Sequence, residues 1–297
     1  MNAFVTVPQA PHGPATVGVR DRIVRHPIAA FLVIAALLGY PGMILTALAA
    51  RGIVPGGSIP GLLHIAPDEL AGFLLVWTGL VPATVIVTSV TDGRDGIRQL
   101  VARMVRWRVA FGWWLLVLAG LPVLTVGLSA LLGDSLRPVD PVGFALGQVT
   151  FLVVNLLATN VWEEAAWAGF LQTRWELRHN LFVASLLTGV VFAFGHLPLA
   201  LFGDLTAASL VGSFLLNLVL GVLVRPMFAL VLRGTRGSGL LVALLHSDFT
   251  RTNNDNGIAA TLVPGEARGL AMLGAVVALI VIAAVSIKLR RERAVRS

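Results

Sequence analysis

Long apolar runs alternate with short polar stretches along nearly the whole chain. Eight such runs lie at 27–50, 70–91, 109–132, 143–170, 182–203, 207–232, 239–250 and 269–287. Most match the stretch of about 20 residues that an α-helix needs to cross a bilayer. The run at 239–250 is short, which predicts either a half-buried helix or one that begins inside a bundle. The pattern therefore predicts an all-α, polytopic membrane protein with about eight transmembrane helices.

The composition agrees with a membrane protein and narrows the chemistry. Hydrophobic residues make up 57% of the chain and charged residues 12%, whereas a soluble domain carries about 25% charge. The chain has no cysteine, which excludes disulfides, thiolate catalysis and cysteine metal sites. The net charge of +7 comes almost wholly from arginine. We attribute it to membrane topology, so the lipid bilayer is the expected partner and nucleic acid is not.

The distribution of cations predicts an orientation. If eight spans start from a cytoplasmic N-terminus, only four of the 22 Lys and Arg residues face the other side. These four are Arg51, Arg137, Arg251 and Arg268. Arg225 counts as cytoplasmic in this scheme. Because cytoplasmic loops carry an excess of Lys and Arg, we expect a bacterial inner-membrane protein with both termini in the cytoplasm.

The segment 92–108 differs from the other connections between apolar runs. Its arginines lie on one helical face, and its aliphatic residues lie on another. This pattern is typical of a basic amphipathic helix on the inner leaflet. A loop that only fixes the topology is the alternative.

The candidate site residues are ionisable and lie inside apolar runs, where each is expected to cost roughly 2.5–3.5 kcal/mol and to face the bundle interior. They are Glu163, Glu164, His196 and His246. At about 1.5 Å per residue, Glu163, His196 and His246 lie roughly 18, 22 and 12 Å from the cytoplasmic ends of their helices. This similar depth predicts one site in the core of the bundle. The uncharged polar residues Asn155, Asn160 and Asn217 join them.

These side chains are suited to hydrolysis of a carbonyl compound. Adjacent residues on a helix point about 100° apart, so Glu163 and Glu164 cannot face the same way, and we expect Glu163 to face the site. Glu163 and His196 could hold and polarise a water, and His246 could donate to an oxyanion. Glu163, His196 and His246 could instead bind zinc or another divalent metal. No HExxH motif is present, and the cofactor stays open.

Three motifs resemble those of the CPBP family, which comprises CAAX prenyl endopeptidases and abortive-infection-like membrane proteases. They are Glu163-Glu164, Phe192-x-x-x-His196 and the late His246. The resemblance implies an intramembrane endopeptidase that cleaves a membrane-associated peptide or protein. It also implies that Glu163 activates water with His196, and that His246 assists in the oxyanion region. Both a metalloprotease and a metal-free glutamate mechanism are compatible with it.

The first family motif, EExxxR, is incomplete here because Ala168 stands where it has arginine. An arginine there would lie one helical turn from Glu164 and could neutralise it. Ala168 is therefore expected to leave Glu164 without its usual partner. Arg174 is about 15 Å further along the helix axis, too far to replace it alone.

The third motif also departs from the family. Thr250 stands four residues after His246, where the family usually has Asn or Asp. A threonine hydroxyl can still donate one hydrogen bond, so Thr250 joins Glu163, Glu164, His196 and His246 as a candidate catalytic residue. Asn253 and Asn254 are alternative donors if the chain folds back to the same place.

The sequence divides into four parts on this interpretation. Residues 1–26 are expected to be a flexible cytoplasmic leader, and 27–135 the N-terminal transmembrane helices. Residues 143–255 form the CPBP-like catalytic core, and 269–297 the last transmembrane helix with a basic cytoplasmic tail.

Two other functions remain open. A non-catalytic relative could act as a binding or self-immunity membrane protein, which Ala168 and Thr250 favour. A transporter could use Glu and His as a proton relay, but that predicts pseudo-symmetric halves, and the sequence has no internal repeat.

Overall fold

The computed structural model describes residues 18–63 and 65–296, and helices account for most of them. We number the helices in chain order. They are α1 (Val19–Arg25), α2 (Pro27–Ala50), α3 (Ile59–Leu63), α4 (Pro67–Met104), α5 (Phe111–Leu131), α6 (Pro141–Trp175), α7 (Leu181–Phe202), α8 (Ala207–Gly234), α9 (Gly239–Asn253), α10 (Ile258–Leu262) and α11 (Arg268–Arg296). No strand occurs in this part of the chain.

Seven of the described helices are long and apolar enough to cross a membrane. They are α2, α4, α5, α6, α7, α8 and α11. The prediction of an all-α, polytopic membrane protein is confirmed. The remaining predicted span, 239–250, corresponds to α9, which has 15 residues and is too short to meet the same criterion.

Although α9 is short, α9 and the segment after it extend between opposite ends of the bundle. Just before it, the Ser238 hydroxyl donates to the Arg106 carbonyl at 2.5 Å, in the α4–α5 connection. Beyond it, the Leu262 carbonyl accepts from the Arg137 amide at 2.8 Å, in the α5–α6 connection. The 21-residue helix α5 joins the same two connections. α9 and the short segment after it therefore cover the same distance as a full span.

Most cations gather at one end of the bundle, which we call the basic end. Arg174 at the end of α6 bonds Asp92 of α4 at 2.5 Å. Arg233 near the end of α8 lies 3.5 Å from Glu176. The side chain of Arg290 in α11 lies against the Trp113 ring near the start of α5. The connections α4–α5, α6–α7 and α8–α9 therefore lie at this end.

Two arginines that the charge count assigned to aqueous loops lie elsewhere. Arg225 and Arg251 are only 3% and 8% exposed, and both lie inside helices of the bundle. Each has a carboxylate partner there, Glu164 for Arg225 and Asp248 for Arg251. The count was wrong for both, because it treats every arginine as solvated.

The core consists of two apolar clusters. One joins α5, α8, α9 and α11, and the other joins α2 and α4 to the second half of α6. Helix α6 contributes to both, since Ala168 belongs to the first cluster and Trp167 and Phe170 to the second. The part of α6 that carries the two glutamates therefore lies between the clusters.

Helices α7 and α8 cross at a pair of glycines. A Cβ on Gly189 would lie 2.6 Å from the Gly221 carbonyl oxygen, and the reverse contact is equally close. Small residues at such crossings let backbones approach closely in membranes. This contact fixes α7, which carries His196, against α8, which carries Arg225.

The predicted leader 1–26 lies largely outside the described residues. Its last part forms α1, which precedes the first span directly. The basic segment 92–108 is helical as far as Met104, the end of α4. This helix is broken at Gly93, where φ is 65°.

Candidate active site

The backbone of α6 changes its winding on both sides of the two glutamates. Residues Leu156–Asn160 and Ala165–Gln172 form π-helical turns, and Val161–Glu164 between them is a single α-helical turn. Short π-helical stretches within α-helices are frequent at functional sites. The widened turns alter which side chains share a face, and regular helical spacing does not predict them.

Glu164 is completely buried and holds two partners from different helices. Its Oε2 atom accepts from Nη1 of Arg225 in α8 at 2.8 Å. Its Oε1 atom lies 2.8 Å from Nδ1 of His246 in α9. Charge-assisted bonds of this kind offset the cost of burying a carboxylate. Glu164 therefore joins α6, α8 and α9 at one point.

Arg225 lies in an aromatic environment. Its guanidinium carbon is 4.6 Å from the ring centroid of Phe192, 5.1 Å from that of Phe228 and 5.9 Å from that of Trp167. Cation–π attraction of this kind is worth about 2 kcal/mol or more when desolvated. The rings and Glu164 together hold a buried guanidinium in place.

Glu164 lacks the motif arginine, but it does not lack an arginine partner. Ala168 is buried and packs in the cluster that includes Val224 and Phe228 of α8. The guanidinium that pairs with Glu164 comes from α8 instead, at Arg225. An arginine in an apolar run, next to Pro226, was the signal in the sequence that could have indicated an intramembrane partner.

Glu163 points to the two histidines. Its Oε1 atom accepts from Trp167 Nε1 at 2.9 Å and lies 3.7 Å from His196 Nε2. Its Oε2 atom lies 3.9 Å from His246 Nδ1. The Glu163 carboxylate is therefore held by Trp167, and a single water can reach both it and His196.

The hydrogen bonds of His196 define its tautomer. Its Nδ1 atom is 2.9 Å from the Phe192 carbonyl oxygen, and a carbonyl can only accept. Nδ1 therefore carries a proton, and when the ring is neutral Nε2 presents its lone pair towards Glu163. The side chain is 18% exposed and that of His246 is 12% exposed, so the site has a narrow opening.

Thr250 is not directed into this group. Its hydroxyl donates to the His246 carbonyl at 3.1 Å, one turn back on its own helix. Asn253 likewise donates to the Phe249 carbonyl at 2.8 Å. These local bonds are the common alternative for short polar side chains in helices, and they explain why neither residue reaches the glutamates.

Asn160 makes the polar contact between α6 and α9 that the sequence did not specify. It is buried, and its amide donates to the Ser247 hydroxyl at 2.8 Å and to the side-chain Oδ1 of Asn155 at 2.6 Å. This places an amide one turn before Glu163 and beside the residue that follows His246. Asn160 could be recognised as a candidate because it is a polar residue in the fourth apolar run. Its contact with Ser247 of α9 could not be predicted from that run.

A second buried ion pair lies further along α9. Asp248 bonds Arg251 within the same helix, and Arg251 also donates to the Leu118 carbonyl of α5 at 3.2 Å. Asp248 is fully buried. The i, i+3 spacing of the two residues was the signal for this pair in the sequence.

The predicted metal ligands Glu163, His196 and His246 lie near one another, but their side chains are not arranged around a common point that could hold a metal ion. Among the residues that the structure describes, no group of three or more His, Asp or Glu side chains is arranged to hold a metal ion. His246 Nδ1 is engaged by Glu164, and Glu163 Oε1 by Trp167. With these atoms engaged, Glu163, His196 and His246 are not arranged as a set of metal ligands in this structure, and we derive no step through a metal.

Comparison with known families agrees with the predicted resemblance. Residues 145–247 match the family model described as type II CAAX prenyl endopeptidase, Rce1-like. The match covers about a third of the chain, from α6 into α9, and contains Glu163, Glu164, His196, Arg225 and His246. Neither the curated proteins nor the solved structures gave a match.

Proposed function

We propose, from the place of residues 145–247 in the Rce1-like family of CAAX-type membrane proteases, that this chain is an intramembrane endopeptidase. Its substrate is a membrane-associated peptide or protein. The observation that carries the proposal is the convergence of Glu163, Glu164, His196 and His246 on one buried point. Residues 143–255 are the catalytic core, and the basic end faces the cytoplasm of a bacterial cell.

In this proposal, Glu163 acts as the general base. A water between Glu163 Oε1 and His196 Nε2 gives its proton to the carboxylate as its oxygen attacks the peptide carbonyl carbon. Trp167 holds the carboxylate in place, and the Phe192 carbonyl fixes the ring of His196. When the tetrahedral intermediate collapses, the C–N bond breaks, and the proton on Glu163 passes to the leaving amine.

His246 stabilises the negative charge that develops on the substrate oxygen. In its protonated form it donates through Nδ1 to Glu164 and through Nε2 to the oxyanion. Glu163, Glu164, Arg225 and a protonated His246 then carry no net charge together, which reduces the cost of burying them. Arg225 and Glu164 position His246 and do not touch the substrate.

A non-catalytic binding or self-immunity role is the second candidate. Ala168 and Thr250 favour it, because both replace residues of the family motifs. Arg225 weakens the first of these arguments, since Glu164 has a buried guanidinium partner after all.

The test is cleavage of a quenched fluorescent peptide, with and without a farnesyl group, by the purified full chain in detergent. We expect Glu163→Gln and His196→Ala each to lower turnover by about 10²–10⁴-fold, the usual contribution of a general base. Glu292→Gln is the matched control because this glutamate is half exposed near the end of α11. A parallel reaction with a chelator reports any contribution from a metal.

Unchanged turnover in Glu163→Gln would contradict the assignment of the base. Absence of turnover in the wild type with every peptide, together with retained binding of the peptide, would favour the non-catalytic candidate.

A further inference from the structure

A cavity of about 820 Å³ opens at the basic end, between α1, α2, α4 and the end of α6. It is separate from the glutamate site. Phe170 forms part of its wall, and Phe31 packs behind Phe170 and against Trp167, with ring centroids 4.9 and 6.1 Å apart. This aromatic layer lies between the cavity and Glu163, whose carboxylate Trp167 holds.

The charged residues that line the cavity are mostly basic. They are Arg25, Arg103, Arg174, Arg178, Asp92 and Asp95. Asp92 pairs with Arg174 within the cavity, and Asp95 lies 3.8 Å from Arg98 outside it. Within the described part of the chain, Arg25, Arg103 and Arg178 have no carboxylate at ion-pair distance. The cavity therefore has an excess of positive charge.

The deeper wall is apolar. Ile28 and Leu32 of α2 face the cavity on one side, and Leu100 of α4 and Phe170 of α6 face it on the other. A soluble anion would leave these side chains uncovered. A ligand with an anionic head and an apolar tail would cover them and meet the arginines at once.

We propose that this cavity binds an anionic phospholipid of the adjacent leaflet. The phosphate lies between Arg25 and Arg178, and part of an acyl chain lies between α2 and α4. Basic pockets between transmembrane helices on the cytoplasmic side bind lipid headgroups in this way. Because Arg25 is in α1 and Arg178 follows α6, the lipid joins α1 to the helix that carries Glu163.

The test uses the purified full chain in detergent, titrated with phosphatidylglycerol or with phosphatidylcholine of the same acyl chains. Bound lipid is counted by native mass spectrometry. The double variant Arg25→Gln/Arg178→Gln removes the proposed phosphate ligands, which are exposed side chains. Its matched control, Arg94→Gln/Arg108→Gln, removes two exposed cations from the same end of the bundle but outside the cavity.

We expect the wild type to prefer phosphatidylglycerol over phosphatidylcholine. The cavity variant should lose affinity for it on the order of tenfold, whereas the control should change far less. Equal losses in the two double variants would show general charge attraction and overturn the proposal. So would equal binding of the two lipids, or displacement of the lipid by inorganic phosphate at comparable concentration. None of these results depends on whether the chain cleaves peptides.

Discussion

Glu164 depends on a residue 61 positions further along the chain. Its ion pair with Arg225 is almost fully buried, with side chains 0% and 3% exposed. A buried charge that loses its partner is strongly destabilising, because water cannot replace the partner. At the scale of single residues, this pair is the most sensitive point of the site.

We expect Arg225→Met to lower the free energy of unfolding by about 3–5 kcal/mol, because it leaves Glu164 charged and unpaired. Unfolding in mixed micelles, followed by tryptophan fluorescence, measures the change. The control is Arg233→Met, since Arg233 is 41% exposed and lies 3.5 Å from its carboxylate. A surface pair of this kind contributes about 0–1 kcal/mol. Equal losses in the two variants would contradict a special role for Arg225.

Restoring the family arginine gives a second residue-scale prediction. Ala168→Arg in the wild type adds a long cation to a packed cluster and a second positive charge near Glu164, so we expect lower stability and turnover. In an Arg225→Ala background, the new arginine is the only one near Glu164. Turnover should then exceed that of Arg225→Ala alone, as measured with the fluorescent peptide. No gain in the double variant would show that position 168 cannot reach Glu164 here.

Helices α7 and α8 carry His196 and Arg225, and their contact at Gly189 and Gly221 sets the distance between them. A Cβ at either glycine would meet the other's carbonyl oxygen at 2.6 Å. Real Cβ contacts are essentially never this close, and the neighbour is backbone, so the helices must separate. Helix packing at this crossing therefore controls the geometry of the site.

We expect Gly221→Ala to destabilise the protein by about 1–3 kcal/mol, the usual cost of overpacking, and to lower turnover. Gly212→Ala on the same helix is the control, because nothing lies within 4 Å of its added Cβ. There, alanine's better helix propensity should leave stability unchanged or raise it by about 0.5–1 kcal/mol. Thermal unfolding and turnover of both variants provide the comparison. The prediction is wrong if Gly221→Ala behaves like Gly212→Ala.

The spans could be predicted from the sequence because hydropathy reports burial in lipid directly. That Glu163, His196 and His246 lie close together was predictable from residue counts along their helices. The π-helical turns around Glu163 did not follow, since they arise from tertiary packing and not from local residue types. The Glu164–Arg225 pair did not follow either, because contacts between distant helices leave no periodic pattern in the chain.

At the scale of the whole molecule, both described ends of the chain lie at the basic end, together with the α4–α5, α6–α7 and α8–α9 connections. Helix α1 lies beside the cavity that Arg174 lines, and Arg290 of α11 lies against Trp113 near the start of α5. Both described ends of the chain therefore lie on one side. We therefore expect an even number of crossings, with α9 and the segment after it as the eighth.

Cysteine labelling can test this arrangement without background, because the chain has no cysteine of its own. We expect Asp255→Cys, after α9, to react with a membrane-impermeant maleimide in intact cells. Arg236→Cys, before α9, should react only after the membrane is opened. Both residues are exposed. Labelling of both positions from the same side would mean that α9 does not cross, and that the two described ends of the chain lie on opposite sides.

The pairing of Glu164 with an arginine from α8 also determines which substitutions can be tolerated during evolution. If an arginine at position 168 also reaches Glu164, arginine can be lost from one of positions 168 and 225 only while the other retains it. Among homologues, we expect the two positions to co-vary, with arginine at one or the other and seldom at neither. A sequence search that requires an arginine four residues after Glu164 would then miss every homologue in which this arginine comes from position 225.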